Sequence, residues 1–163
     1  MNNQLEARIK YGEIGEGRFE RFCNTNSIWF QRFGISTKDG YKMGKELFYK
    51  IPKIVKGTPD YWMITDKFYF VEVKMADKPT GEHCKIKEVD MLNYNTWSNV
   101  GSLLFFIHNR LLNESFLVEY HYISELIEHG EYKQGMYPEN GKYFWEVKMN
   151  DIRRVGRSIW LNY

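Results

Sequence analysis

Gly57-Thr58-Pro59-Asp60-Tyr61-Trp62-Met63-Ile64-Thr65-Asp66-Lys67-Phe68-Tyr69-Phe70-Val71-Glu72-Val73-Lys74 is the stretch on which the reading of this chain turns. Two runs rich in aromatic and β-branched residues, Tyr61 to Ile64 and Phe68 to Val73, flank the polar triplet Thr65-Asp66-Lys67. That pattern predicts a β-hairpin. With Asp66 at the centre of a three-residue loop, Ile64 faces Phe68, Trp62 faces Phe70, and Asp60 faces Glu72. Opposed residues on antiparallel strands share a face, with Cβ atoms about 4.5–5.5 Å apart. Lys74, two residues beyond Glu72, projects from that same face. Both strands are apolar on both sides, so they should lie centrally in a sheet with structure on each face.

The hairpin thus brings two carboxylates together, with an ammonium one step away, on strands otherwise nearly devoid of charge. Carboxylates forced together in an apolar surround repel and lose hydration. A hard divalent cation relieves that cost, and oxygen donors at this spacing suit Mg²⁺ or Mn²⁺. The competing reading is a cross-strand ion-pair cluster on a solvated sheet face.

Outward from the hairpin, the pattern predicts an α/β domain with a mixed sheet. A first helix is expected from Gly12 or Glu13 to Cys23 or Asn24, with Phe19, Phe22 and Cys23 on one face and Glu13, Glu16 and Glu20 on a neighbouring stripe. Residues 28–33 read as extended. Residues 34–50 read as an irregular basic loop leading into a short strand near Leu47–Ile51. After the hairpin, a helix is expected over Ile86–Trp97, then a buried strand over Ser102–His108. Ser115–Tyr122 reads as a further strand, Ser124 as the cap of a short helix Glu125–His129 closed by Gly130, and Asn140-Gly141 as a hairpin turn before Tyr143–Lys148.

The 163 residues suit one domain, and 43% hydrophobic content is ample for a core. Net charge is only +2, which excludes a histone-like polycation but leaves room for a locally basic face. Residues 1–81 carry 14 basic and 10 acidic groups; residues 82–163 carry 9 and 11. Within the first half, Lys38, Lys42, Lys45, Lys50, Lys53 and Lys56 are interleaved with Tyr41, Phe48 and Tyr49. Cations mixed with aromatics suit phosphate and base contact, and proximity to Asp60 makes this segment a candidate nucleic-acid contact. His83, Lys85 and Lys87, expected to open the following helix, are candidates for phosphate contact there. Cys23 and Cys84 show no Cys-x-x-Cys spacing and are expected to be reduced thiols. No apolar run is long enough to cross a bilayer, and the expectation is a soluble, cytoplasmic protein. His121 and His129 lack metal spacing, and His108 reads as a core histidine. Arg153, Arg154 and Arg157 could grip a nucleic-acid backbone or sit in solvent.

Pro59-Asp60, the Glu72-Val73-Lys74 strand and an upstream helical glutamate resemble the PD-(D/E)XK nuclease superfamily, which includes many type II restriction enzymes, Holliday-junction resolvases and phage endonucleases. The resemblance covers residues 12–108, in the order α-β-β-β-α-β, and leaves 109–163 as an unassigned C-terminal extension. It implies a restriction-endonuclease-like fold in which Asp60, Glu72 and the Val73 carbonyl ligate Mg²⁺, with Mn²⁺ able to substitute. Lys74 would orient or help deprotonate the attacking water. Glu20 is the first choice for the helical acidic residue and Glu16 its competitor, either of which would reach a second metal or a metal-bound water. The glutamine that many relatives carry on the helix after the Glu-x-Lys strand is absent, and Asn93 and Tyr94 are the residues that could stand in for it.

The expected function is therefore a Mg²⁺-dependent endonuclease acting on DNA, of a phage-like, recombination or repair type, for which homodimerisation would suit cutting both strands. The alternatives are a non-catalytic nucleic-acid-binding domain, or an exonuclease or RNA-directed enzyme on the same site.

Overall fold

The computed structural model of the chain describes residues 3–35, 47, 50–77, 79–138 and 140–159. Helix α1 (Asn3–Thr25) leads into strand β1 (Trp29–Arg32), and a single helical turn, α2 (Lys53–Lys56), precedes the hairpin of β2 (Tyr61–Ile64) and β3 (Phe68–Met75). Strand β4 (His83–Lys87), helix α3 (Glu88–Val100) and strand β5 (Ser102–Asn109) follow. The extension adds β6 (Glu114–Glu119), α4 (Tyr120–His129), β7 (Gln134–Met136), β8 (Tyr143–Lys148), α5 (Met149–Val155) and β9 (Arg157–Ile159).

The result is a mixed α/β fold. A six-stranded sheet runs β1-β2-β3-β5-β6-β9, with β3 and β5 parallel and every other pair antiparallel. With α2 and β4 inserted, the first part of the chain follows the expected order of one helix, three strands, a helix and a strand. The hairpin register is the expected one: Ile64 pairs with Phe68 and Trp62 with Phe70. One face of the sheet packs on α1, where Phe19, Phe22, Tyr61, Met63, Val71 and Phe106 form a buried cluster. Gly15 allows that approach, because a Cβ there would lie 2.7 Å from the Met75 sulfur. The opposite face buries Phe70, Leu103, Phe105 and Ile107 with Tyr94 of α3, Ile123 of α4 and Ile152 of α5. The described part of the extension, from β6 to β9, thus enlarges the sheet and shares its core.

Several boundaries differ from expectation. Helix α1 begins at Asn3, well before Gly12. Leu47 and Lys50 are helical, which removes the short strand near Leu47–Ile51. Strand β6 ends at Glu119, and α4 starts at Tyr120 rather than at Ser124–Glu125, while Gly130 closes it as expected through its N–H to the Leu126 carbonyl. The largest correction concerns His83–Lys87. These residues do not open a helix; they form β4 of a second sheet, ordered β4-β8-β7. Cys84 and Ile86 are fully buried and alternate with His83, Lys85 and Lys87, a two-residue period that belongs to a strand with one covered face.

Both cysteines are free and buried. Burial pushes each thiol up to about 12, Cys23 also feeling Glu20, so neither is a reactive thiolate at neutral pH. Among the described residues, no helix is long and apolar enough to cross a membrane.

Candidate active site

Asp60 stands at the entry to β2, directly before Tyr61, whose partner on β3 is Val71. One further step of that register sets Asp60 opposite Glu72. Its Oδ2 accepts a hydrogen bond of 2.8 Å from the Val73 N–H, so the carboxylate is fixed to the partner strand as well as to its own. Glu72 is only 7% exposed. Its Oε1 accepts both the Lys74 ammonium at 2.6 Å and the Tyr94 hydroxyl at 2.7 Å, and neither bond falls on Oε2. Lys74 lies 5.5 Å from the centroid of the Tyr94 ring. Of the two candidates on α3, Tyr94 bonds Glu72 directly, while Asn93 lines the same cleft. Asn93 packs against Gly57, where a Cβ would meet its side chain at 2.3 Å.

Burial, and next the charge of Glu72, push the Asp60 carboxyl up to about 8, against the smaller opposing pull of Lys74 and the Val73 N–H. Lys74 moves the other way. Burial would depress its ammonium, but the combined negative field of Glu72, Tyr94, Asp90 and Asp60 holds it well above its ordinary value. The site therefore carries a carboxylic acid that resists ionising and a lysine that resists losing its proton.

These groups line an open cleft of about 630 Å³. Asp60, Glu72, Val73 and Lys74 form its floor, α1 contributes Tyr11 and Glu16, and β4 contributes Lys85 and Lys87. Lys56, at the end of α2, also lines it. Of the other basic candidates, Lys53 lies on α2 and His83 on β4 outside the cleft lining. Lys38, Lys42 and Lys45 fall outside the described residues.

The two helical glutamates part company. Glu16 lines the cleft and holds Arg32 at 2.7 Å. Glu20, the first choice from the sequence, is not among the lining residues; its Oε1 accepts the hydroxyl of the buried Tyr61 at 2.7 Å. Burial, and next that bond, raise the Tyr61 hydroxyl strongly.

The oxygen donors available to a cation are thus the carboxylates of Asp60 and Glu72 and the Val73 carbonyl. Among the described residues, no group of three or more His, Cys, Asp and Glu side chains stands close enough to hold a metal ion without the backbone. Away from the cleft, His108 Nδ1 is 2.9 Å from Ser115 Oγ, while its buried Nε2 has no hydrogen-bond partner among the described residues. Arg153 forks onto Glu114 and Arg154 bonds Asp151, so these two arginines brace the extension.

The sequence matches no family model and no curated protein. Among solved structures, the chain is similar to one described as D212, a nuclease from a fusselovirus, at 11% identity and a TM-score of 0.45, over 82% of this chain and 76% of that one.

Proposed function

We propose that this chain is a metal-dependent nuclease that hydrolyses phosphodiester bonds in DNA, as an endonuclease with its active site on the β2–β3 hairpin. The observation that supports this reading best is the pairing of Asp60 with Glu72 in a cleft beside Lys74. Nothing in the stability of the hairpin asks for two carboxylates there, and the carboxyl of Asp60 is pushed up to about 8 by its surroundings. Asp60, Glu72 and the Val73 carbonyl are hard oxygen donors of the kind Mg²⁺ and Mn²⁺ take, and Glu72 Oε2 carries neither the Lys74 nor the Tyr94 bond. A bound ion of this class supplies acidity to a coordinated water and offsets charge on the phosphate.

The chain's own residues do the rest. Lys74, protonated and held on Glu72, presents an ammonium to the developing phosphorane charge and orients the attacking water. Tyr94 fixes the rotamer of Glu72 by its hydroxyl. Glu16 is the helical carboxylate of the site, in place of Glu20. Lys56, Lys85 and Lys87 neutralise the phosphates of the entering strand.

A second reading has one observation in its favour. The Lys74 ammonium, 2.6 Å from Glu72, neutralises that carboxylate by itself, as a non-catalytic DNA-binding domain on this fold would require. A cleavage assay separates the two. Supercoiled, linear, single-stranded and four-way-junction DNA are incubated with Mg²⁺ or Mn²⁺, alongside Glu72→Ala, Lys74→Ala and a chelator control. The nuclease reading expects cleavage that disappears in both variants and in chelator. Binding without cutting under either metal would transfer the assignment to the binding domain.

A further inference from the structure

The three-stranded sheet has two unlike faces. On one, Cys84, Ile86 and Val147 are buried in the core that covers the main sheet. On the other, Lys85 pairs with Glu146 and Lys87 with Phe144, while Phe144 pairs with Gly135. Tyr137, two residues past Gly135, returns to that same face. Its ring packs on Phe144 with centroids 4.4 Å apart, and the Lys85 ammonium lies 4.7 Å from the centre of the Phe144 ring. Gly135 is what lets Phe144 lie flat, since a Cβ there would sit 2.4 Å from the ring. Lys85, Lys87 and Tyr137 all line the cleft that holds Asp60 and Glu72.

Resting on the nuclease reading above, we propose that this wall grips a single, unpaired DNA strand. Tyr137, backed by Phe144, is the platform on which one base beside the scissile phosphate stacks, and Lys85 and Lys87 take the neighbouring phosphates. An aromatic face flanked by cations is what non-sequence-specific binding of single strands uses. A base can lay its face on Tyr137 only after leaving the stack of a duplex, which an unpaired strand does at little cost. The enzyme would then favour flaps, overhangs and single strands over continuous duplex.

The test reads binding and cleavage separately. Fluorescence anisotropy in chelator compares a labelled 12-nucleotide single strand with a hairpin duplex of the same sequence. Wild-type protein should prefer the single strand, and Tyr137→Ala should weaken that affinity about tenfold while changing duplex affinity less than twofold. Tyr137→Phe, which keeps the stacking face, should retain the preference and guards against a folding defect. Lys87→Ala should weaken both substrates. Equal losses on both substrates in Tyr137→Ala, no loss on either, or no wild-type preference would overturn the proposal. The same substrates with Mn²⁺ then separate the two readings. Tyr137-dependent strand binding without cleavage sinks the nuclease reading and leaves the wall standing. Cleavage of strand and duplex alike, indifferent to Tyr137, does the reverse.

Discussion

The cleft lies between two hairpins made on opposite terms. The β2–β3 hairpin sits inside the six-stranded sheet, covered by α1 on one face and by α3 toward the other, and it carries Asp60, Glu72 and Lys74. The β7–β8 hairpin packs one face on the core, and on the other the buried ring of Phe144 backs Tyr137, which lines the cleft with Lys85 and Lys87. In the first, charge is buried against its own preference and fixed by bonds to the Val73 N–H, Lys74 and Tyr94. In the second, charge stays at the cleft face and the aromatic rings are layered over a glycine. Rigid, electrostatically costly groups suit chemistry that needs fixed geometry, and an open cationic face suits a substrate that arrives and leaves.

Breaking the first hairpin's chemistry without its fold should have the largest effect. Asp60→Asn keeps an acceptor for the Val73 N–H but gives up the ligand charge, and DNA cleavage should fall a thousandfold or more, in line with several kcal/mol of lost transition-state stabilisation. The same substitution carries a thermodynamic signature. The Asp60 carboxyl holds its proton up to about pH 8 in the folded chain and titrates near 3.8 when unfolded. With its native pKa raised, the folded state binds the extra proton between those values. In chelator, the stability that this proton contributes is therefore fully present below about pH 4 and is lost as pH rises through 8. Melting temperatures between pH 4 and 9 should fall in wild type, flatten in Asp60→Asn, and recover at high pH when Mn²⁺ is added to wild type only. An equal slope in both proteins would remove Asp60 as the strained group.

The second hairpin should break in the opposite way, by fold before chemistry. Gly135→Ala forces a methyl against the Phe144 ring, which must swing and take Tyr137 with it. Overpacking of this kind costs about 1–3 kcal/mol, which for a chain of this length lowers the melting temperature by roughly 2–4 °C per kcal/mol. Calorimetry in chelator reads it directly, and an unchanged melting temperature would mean that the ring yields freely.

The same contrast explains what the sequence made legible. The pairing of Asp60 with Glu72 follows from a three-residue turn, so local spacing carried the register from Ile64–Phe68 inward. The Asn140-Gly141 turn was equally readable, and Gly141 does take positive φ. Its partner was not: β4 joins β8 across some sixty residues, with Cys84 facing Val147, and no local signal announces such a contact. Lys85 and Lys87 therefore looked like helix-opening lysines, although the buried–exposed alternation of residues 83–87 was already a strand's. Tyr94 stood as one of two candidates on a helix whose rotation only tertiary packing sets. The end of the extension was unreadable for the same reason: β6 pairs with its sequence neighbour β5, but β9 joins the sheet by pairing Arg157 with Leu117, some forty residues earlier.

Glu16 and Glu20 give the finest discrimination, since they lie one turn apart on one stripe of α1 and spacing cannot choose between them. The choice is made by Tyr61, which begins β2 beneath α1 and donates its buried hydroxyl to Glu20. A carboxylate committed to a buried hydroxyl is structural, whereas Glu16, which lines the cleft and pairs with the half-exposed Arg32, can change partner when a substrate arrives. Glu20→Gln should then cost stability and spare cleavage: exchanging a charged acceptor for a neutral one is worth about 1 kcal/mol. Glu16→Gln should do the converse. Its exposed pair with Arg32 contributes about 0.2–1 kcal/mol at most, so the melting temperature should hardly move while cleavage falls about tenfold. Parallel melting curves and initial cleavage rates for the two variants decide the matter. If Glu20→Gln slows cleavage more than Glu16→Gln does, the helical acid of the site is Glu20, and the Tyr61 hydroxyl serves to hold it ready.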